Sequence, residues 1–261
     1  MLATLTACLS GTEGHQDRSA HASELCRVGA TSQALFSGVQ TPRTVTLRDS
    51  EILALVAVEP SDGEGELCTG TLIAHGWVLT AAHCVGQGTV APSVRFGPDL
   101  SASLLMLSAS VTLLHPEHDA ALVQLPSAGW SRALGAEPIS VWSASIAEDW
   151  VGIEIELAGR GLTETRDFGD ILFVSEVVTA LHRNTLEVDG MGHSGACLGD
   201  SGGPVLKSGE GGVVHVVGTL TRGSSGCTAN DLYLRADRIR DWAVKMMANH
   251  PVPESDPCEL L

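Results

Sequence analysis

From about residue 52 onward, the chain consists of short apolar runs separated by glycine, proline, serine and aspartate. Five of these runs, rich in valine, isoleucine and leucine, are residues 52–58, 104–107, 151–157, 170–178 and 213–220. Runs of this length and composition favour strands over helices. Many short strands at such spacing predict an all-β protein, either a sandwich or a barrel. None of the runs reaches the roughly 18 residues that a membrane-spanning helix needs.

One segment near the C-terminus has a different period. Residues 236–249 place five apolar side chains at helical spacing, with charged residues between them: Ile239, Trp242, Ala243, Met246 and Met247. This pattern predicts one amphipathic helix, which ends before Pro251 and packs its apolar face on the rest of the domain.

The charge balance narrows the classes of partner. The 261 residues include 31 acidic and 15 basic side chains, which gives a formal net charge of −16. Nucleic-acid binding needs a basic face, so we expect no nucleic-acid partner. The hydrophobic share of 44% and the charged share of 18% favour a folded domain over disorder.

Seven cysteines are spread singly along the chain, with no Cys-x-x-Cys pair. This spacing favours disulfides in an oxidising compartment over a zinc ribbon or a thioredoxin-type motif. Residues 5–8 resemble a bacterial lipoprotein box, which makes Cys8 a candidate for lipidation. Only seven residues precede Cys8 and none is basic, so a chance match is the alternative. Residues 9–34 have the composition of a tether or pro-segment.

Three segments carry residue types suited to nucleophilic catalysis. In chain order they are residues 68–84, which contain His83; residues 118–125, which contain Asp119; and residues 197–205, which read CLGDSGGPV around Ser201. A serine hydroxyl is a weak nucleophile near neutral pH and needs a base within hydrogen-bond reach. Histidine suits that task because its pKa lies near the working pH. A carboxylate can then hold the imidazole in the right tautomer.

In this order, the three segments closely resemble the trypsin-like (chymotrypsin-fold) serine endopeptidases. The resemblance implies two antiparallel six-stranded β-barrels, with the active site between them and a C-terminal α-helix. It makes Ser201 the nucleophile, His83 the general base and acid, and Asp119 the orienting carboxylate. The amides of Gly199 and Ser201 form the implied oxyanion hole. No organic cofactor and no catalytic metal are expected.

The resemblance also divides the chain. Residues 1–34 hold the lipoprotein box or signal remnant and the pro-segment, and residues 35–261 form the peptidase domain. Within this domain, we expect the N-terminal barrel at about 35–130, the C-terminal barrel at about 143–235 and the helix at about 236–249.

The family's bridges imply two disulfides here. Cys68–Cys84 encloses the histidine loop, and Cys197–Cys227 ties the serine loop to the far wall of the specificity pocket. Cys26 and Cys258 remain, and we predict that they pair with each other. The alternative is two free thiols.

The specificity pocket departs from that of the best-known family members. Gly195 stands where trypsins carry an aspartate at the pocket floor, and Ala196 follows it. Alignment on Tyr233 puts Asp231 on the opposite wall, where its carboxylate can face the substrate. The alternative is that Asp231 points to solvent in a turn. We therefore expect Arg or Lys at the cleaved position, or broad specificity.

The strand that pairs with the substrate backbone corresponds to Thr221, Arg222 and Gly223. Thr221 replaces the common serine and is expected to hydrogen-bond Asp119. Arg222 replaces a common tryptophan, so we expect a more polar subsite there. Residues 159–161 read Gly-Arg-Gly where the family commonly has Gly-Trp-Gly.

Activation is the next implication of the resemblance. Family members often mature by a cleavage that frees an apolar N-terminus, which pairs with the aspartate before the nucleophile, here Asp200. The nearest match is Leu35, freed by an activating protease that cleaves after Ala34. The alternative is that Asp200 has another partner.

These features predict a serine endopeptidase that hydrolyses peptide or protein substrates through an acyl-enzyme. The alternatives are a catalytically silent binding or adhesion module on the same fold, and an enzyme that cleaves only esters. The disulfides and the lipoprotein box predict export, by secretion or by attachment to a bacterial cell envelope. We expect a monomer without a transmembrane segment.

Overall fold

The computed structural model describes residues 35–60, 66–86, 91–163 and 168–255. The lipoprotein box, the pro-segment and the predicted Cys26–Cys258 pairing lie outside the described residues. The described chain forms two antiparallel β structures in succession, followed by a helix. The all-β fold class and the C-terminal helix are therefore confirmed.

The first half is a seven-stranded sheet with strand order β5-β4-β1-β2-β3-β7-β6. Its strands are β1 (Leu55–Glu59), β2 (Cys68–Ala74), β3 (Trp77–Thr80), β4 (Ser93–Phe96), β5 (Leu105–Ser108), β6 (Val111–Leu114) and β7 (Ala121–Gln124). The two end strands, β5 and β6, are separated in sequence by only two residues. Of these, the Ala109 amide bonds Pro92 on the β4 side, and the Ser110 amide bonds Gln124 on the β7 side. The first half therefore has seven strands where six were expected, in a half-barrel whose two end strands are consecutive in the chain.

The second half is a closed six-stranded barrel with the order β10-β13-β12-β11-β8-β9. Its strands are β8 (Glu154–Gly159), β9 (Leu172–Leu181), β10 (Thr185–Asp189), β11 (Pro204–Ser208), β12 (Val214–Arg222) and β13 (Asn230–Arg235). In β9, Val174 and Val178 are buried while Val177 is exposed. This alternation places every second side chain of the strand inside the barrel.

The strand predicted over residues 52–58 begins later than expected. Residue 52 belongs to a short helix, α1 (Asp49–Ile52), and β1 follows it. The helix starts there because the Arg48 amide donates to Glu51 Oε2 at 2.9 Å, which closes a capping box at its first turn.

Three further α-helices and two 3₁₀ helices, Glu148–Trp150 and Glu210–Gly212, complete the described chain. Helix α2 (Ala82–Val85) carries the candidate histidine, and α3 (Gly129–Ala133) lies in the connection between the two halves. Helix α4 (Ala236–Asn249) is the predicted C-terminal helix, and it buries Ile239 and Ala243 against the core. Within the described ranges, none of these helices has the length and apolar character that crossing a bilayer requires.

A buried arginine joins the two halves. Arg160 follows β8 and is only 1% exposed, and its guanidinium donates to Leu55 O at 2.7 and 3.0 Å. It also donates to Gly97 O in the first half and to Gly169 O in the second. Burial lowers the pKa of Arg160 to about 10, so the group stays charged near neutral pH. Arg160 therefore links the two halves through hydrogen bonds to buried carbonyls, and we call this link the brace.

Replacing Arg160 tests this brace. We expect Arg160→Met to lower the free energy of unfolding by about 3 kcal/mol, because three buried carbonyls lose their charged donor. Urea unfolding measures the change, and the exposed Arg183→Met serves as the matched control with a change within about 0.5 kcal/mol. A loss below about 1 kcal/mol for Arg160→Met would contradict the bracing role.

Candidate active site

His83 and Asp119 form a two-point contact in the first half. His83 lies in α2 just after β3, and Asp119 lies just before β7, which pairs with β3. Asp119 Oδ2 is 2.8 Å from His83 Nδ1, and Asp119 Oδ1 accepts the His83 backbone amide at 3.0 Å. The double contact fixes the imidazole ring and leaves its Nε2 atom turned away from the carboxylate.

This contact shifts both pKa values in the direction that favours an ion pair. The hydrogen bond with Asp119 raises the pKa of His83 above its ordinary value, against an opposing effect of burial. Burial opposes ionisation of Asp119, but hydrogen bonds from the His83 ring and backbone outweigh it and lower the pKa of that carboxyl. A histidine in this state is a stronger base than a free imidazole.

Ser201 belongs to the second half, and its backbone lies against the first half. Its carbonyl oxygen accepts the Thr69 amide at 2.8 Å and lies 3.5 Å from Cys84 Sγ, one residue after His83. Gly202 has a φ of 79°, and any side chain there would collide with Thr80 and the Thr69 carbonyl. Only glycine lets the serine loop pass this close to β2 and β3.

Two disulfides hold the segments around the serine and the histidine. Cys68 and Cys84 are bridged across the histidine loop, and Cys197 and Cys227 are bridged beside the serine loop. Both pairings are those that the family resemblance implies, and both are confirmed.

The implied oxyanion hole has available donors. Among the described residues, neither the Gly199 amide nor the Ser201 amide donates to a protein acceptor. Gly199 has a φ of 96°, and its own carbonyl is held by Thr69 Oγ1 at 2.9 Å. Ser201 Oγ likewise makes no hydrogen bond within the described ranges, which leaves it open to a substrate carbon. The described structure therefore has no hydrogen bond between Ser201 Oγ and His83. Such a bond between a serine and its base is often long or poorly aligned until a substrate binds.

Thr69 is the site residue that the sequence did not single out. It is fully buried on β2, where its amide bonds Ser201 O and its hydroxyl bonds Gly199 O. The same hydroxyl accepts the Arg160 amide at 3.0 Å. A hydroxyl in a strand that is otherwise buried was the available signal, but it did not indicate which segment would contact it.

Asp200, next to the nucleophile, is buried in the uncleaved chain. Its Oδ1 accepts the Gly161 amide at 2.7 Å, and its Oδ2 accepts the Cys197 amide at 2.8 Å. Side chains at Gly159 or Gly161 would overlap the Asp200 carboxylate, so the Gly-x-Gly spacing makes room for it. Burial raises the pKa of Asp200 to about 7, because two amides offset only part of the lost hydration.

Leu35, the other member of the predicted activation pair, lies close to the specificity region. Its side chain is 1% exposed in the core of the second barrel, and Phe36 forms a bridge with Gly195. The Leu35 backbone has a φ of 56°, in the left-handed region that disfavours residues with a side chain.

Asp231 lies inside the specificity region and is fully buried, so the alternative that it points to solvent is wrong. Its Oδ2 accepts the Ala196 amide at 2.6 Å, and its Oδ1 accepts the Ser224 amide at 2.9 Å. These two amides belong to opposite walls of the predicted pocket. A Cβ on Gly223 would lie 3.0 Å from Ala196 O, which shows that the walls are in contact.

One hydrogen bond predicted for residues 221–223 is not made. The Thr221 hydroxyl donates to Leu232 O at 3.0 Å, so the predicted hydrogen bond to Asp119 is not made. This carbonyl of the neighbouring strand β13 satisfies the single hydroxyl donor. Arg222 is exposed, as the proposed polar subsite requires.

A groove of about 430 Å³ borders the oxyanion segment. Its lining combines two carboxylates with apolar side chains: Glu59, Pro60, Glu66, Leu67, Leu100, Phe168, Leu198 and Gly199. Phe168 and Leu198 are about half exposed, which gives an extended peptide an apolar surface next to the serine loop.

Comparison with known proteins gives one family. The family model described as Trypsin matches residues 48–243. Over aligned segments, the chain is 25% identical to Trypsin 5G1 of Aedes aegypti, covering 69% of this chain and 75% of that protein. It is 28% identical to human Kallikrein-12, covering 72% of this chain and 84% of that protein.

Two further similarities concern a bacterial relative and a solved structure. A peptidase of Corynebacterium glutamicum is 30% identical over 147 residues, which is 55% of this chain and only half of that protein's length. A solved structure titled HL collagenase superposes with a TM-score of 0.65 at 20% identity, covering 79% of this chain and 98% of that chain. The latter likeness shows the fold.

Removing the Thr69 hydroxyl tests the contact between the two halves. We expect Thr69→Val to lower the free energy of unfolding by about 1–3 kcal/mol, because the Gly199 carbonyl and the Arg160 amide lose a buried partner. Thermal unfolding measures this, with Thr71→Val on the same buried strand as the control. Equal stability of the two variants would show that the Thr69 hydroxyl does not stabilise the contact between the two halves.

The buried Asp200 predicts how stability depends on pH. Its pKa is about 7 in the fold and near 3.8 in the unfolded chain, so the folded state binds more protons between about pH 4 and pH 7. This group's stabilising contribution is therefore complete below about pH 4 and is lost as pH rises through 7. Urea unfolding at several pH values should give a smaller decline for Asp200→Asn than for the wild type, and equal slopes would refute the assignment.

Proposed function

The chain belongs to the trypsin family of serine endopeptidases, and we propose that it hydrolyses peptide bonds with Ser201, His83 and Asp119 as its catalytic triad. The observation that carries this proposal is the His83–Asp119 double contact, together with a serine loop whose Gly199 and Ser201 amides donate to no acceptor among the described residues. A base, a nucleophile and two unoccupied donors are what acyl transfer needs in one place.

The proposed reaction follows from these positions. His83 Nε2 takes the proton of Ser201 Oγ as that oxygen attacks the carbonyl carbon of the substrate. Asp119 stabilises the imidazolium, and the Gly199 and Ser201 amides donate to the oxyanion. The protonated His83 then gives its proton to the leaving amine as the C–N bond breaks. Water attacks the acyl-enzyme in the same way, which releases the acid and restores Ser201.

For specificity, we propose Arg or Lys at the cleaved position, with broad specificity as the alternative. Asp231 supports the first choice because its carboxylate lies between Ala196 and Ser224, the two walls of the proposed pocket. Gly195 and Gly223 add no side chains there, so the carboxylate is the group that a long substrate side chain would meet. In the uncleaved chain these walls touch, and the pocket must widen to admit a substrate.

For activation, we propose cleavage after Ala34, followed by pairing of the new Leu35 ammonium with Asp200. Two features support this step. Burial raises the pKa of Asp200, and a cation would offset the lost hydration. Leu35 also has a φ of 56°, a torsion that involves the preceding carbonyl and ceases to exist once that bond is cut. Freeing Leu35 therefore removes a strained conformation of about 1–2 kcal/mol.

The setting that we propose is outside the cytoplasm. The disulfides Cys68–Cys84 and Cys197–Cys227 support an oxidising compartment. Lipidation at Cys8 and an activating protease remain parts of the proposal, as does a monomeric state with peptides or proteins as substrates.

Labelling with a fluorophosphonate tests the proposed activity. We expect the processed wild-type protein to react, and Ser201→Ala and His83→Ala to lose the reaction, because the first lacks the nucleophile and the second lacks its base. The exposed Ser145→Ala is the matched control and should react like the wild type. Mass spectrometry of the same sample reads the mature N-terminus, which is Leu35 if the activation step is right.

The pattern of labelling decides among the alternatives. Labelling with turnover of esters but not of peptides would favour an esterase. Folded, processed wild-type protein that does not label would refute the enzyme proposal and leave a binding module on this fold. A mature N-terminus other than Leu35 would refute the activation step alone.

A further inference from the structure

Glu176 is a carboxylate at an inward-facing position of the second barrel. It lies on β9 between Val174 and Val178, and all three side chains are buried, while the alternate Val177 is exposed. Such positions normally carry apolar residues, because burying a charge without a partner is unfavourable. Glu176 is only 3% exposed, so its presence there needs an explanation.

The contacts of Glu176 leave one oxygen without a partner. Its Oε1 accepts the Ser194 hydroxyl at 3.0 Å. Its Oε2 is buried and, within the described parts of the chain, has no hydrogen-bond partner. An orphaned carboxylate oxygen in a barrel interior costs about 1–3 kcal/mol or more, which a ligand with a donor can recover.

Residues 194–196 connect Glu176 to Asp231 in the proposed specificity pocket. Ser194 bonds Glu176, and two residues later the Ala196 amide bonds Asp231. The strands agree with this proximity, because Val188 on β10 pairs with Asp231 on one side and with Val178 on the other. Gly195 lies between Ser194 and Ala196 and has no side chain that could separate Glu176 from Asp231.

The local charges around this pair are all of one sign. Burial raises the pKa of Glu176 to about 8, and the neighbouring Asp231 and Asp189 raise it further by repulsion. Burial and Asp189 act in the same direction on Asp231. Glu176 and Asp231 both act on the buried Tyr233, which faces the same interior. These two carboxyls therefore ionise more easily when a cation binds beside them.

We infer that Glu176 is a specificity-determining residue, whose free oxygen joins Asp231 in binding the cationic side chain of Arg or Lys at the cleaved position. This inference rests on the proposed endopeptidase function and adds a carboxylate from β9 to the pocket. The side chain enters between Ala196 and Gly223, and its charge replaces the hydration that both carboxylates lack.

A proton balance follows from this arrangement. In the empty pocket near neutral pH, Glu176 holds a proton; when a cation binds, the carboxyl ionises and the proton leaves to solvent. A small amidinium ion such as benzamidine should therefore bind more tightly as pH rises from about 6 to about 8. Glu176→Gln cannot release that proton, so this variant should lose the rise in affinity between about pH 7 and pH 8, while Asp231, with a pKa of about 6, still titrates below that range.

The test compares two peptide substrates that differ only in Arg or Leu at the cleaved position. For the processed enzyme, we expect Glu176→Gln to lower the ratio of kcat/KM for Arg over Leu by about tenfold. Glu154→Gln makes the same change on the exposed start of β8 and should keep the wild-type ratio. Fluorophosphonate labelling of each protein reports whether its triad is intact.

The outcomes separate this inference from the proposed function. A ratio within about twofold of wild type, in a Glu176→Gln protein that still labels, overturns the role of Glu176 and leaves the endopeptidase proposal standing. Wild-type protein that does not label overturns both. If Glu176→Gln does not fold, the wild type alone decides, because a benzamidine inhibition constant that is unchanged between about pH 6 and pH 8 also overturns the inference.

Discussion

The proposed nucleophile, Ser201, and its proposed base, His83, lie on different halves of the protein, and one buried threonine holds these halves in register. The Thr69 amide bonds the Ser201 carbonyl, and its hydroxyl bonds Gly199 on the serine loop and Arg160 beside it. Gly202 allows the close approach because any side chain there would strike β2 and β3. The position of Ser201 relative to His83 therefore depends on hydrogen bonds made by backbone and hydroxyl groups, at a distance from the reacting atoms.

Four buried ionisable side chains impose a second constraint on the structure. Arg160 spans the two halves through carbonyl acceptors, whereas Asp200, Asp231 and Glu176 lie in or beside the second barrel with raised pKa values. The guanidinium of Arg160 finds its hydrogen-bond acceptors within the described chain, and we expect it to stabilise the fold. None of the three carboxyls pairs with a cation from the described residues, and each lies next to a segment that activation or substrate binding is proposed to change. Their unfavourable burial can be relieved by a new N-terminus or a basic side chain.

Much of the fold and site could be predicted from residue patterns. The short apolar runs predicted the strands, the period of 3.6 predicted helix α4, and the motifs around His83 and Ser201 led to the family and both described disulfides. The prediction failed where a side chain had two acceptors available. Thr221 bonds a neighbouring strand instead of Asp119, because strand pairing brings Leu232 O to its hydroxyl. Thr69 and Glu176 were missed because a pattern gives the inward face of a strand but not its neighbours across the barrel.

The sequence alone determined the chemical types and their order along the chain: a histidine, a carboxylate, a serine in a glycine-rich loop, and cysteines that bracket them. These are local properties, since they depend on residues that are adjacent in the chain. Only the tertiary structure decided that Thr69 joins the halves, that Asp231 is held between the Ala196 and Ser224 amides, and that Glu176 has an oxygen without a partner in the described chain. Those features arise from contacts between distant segments, and the burial that gives them their energy exists only once the barrel has closed.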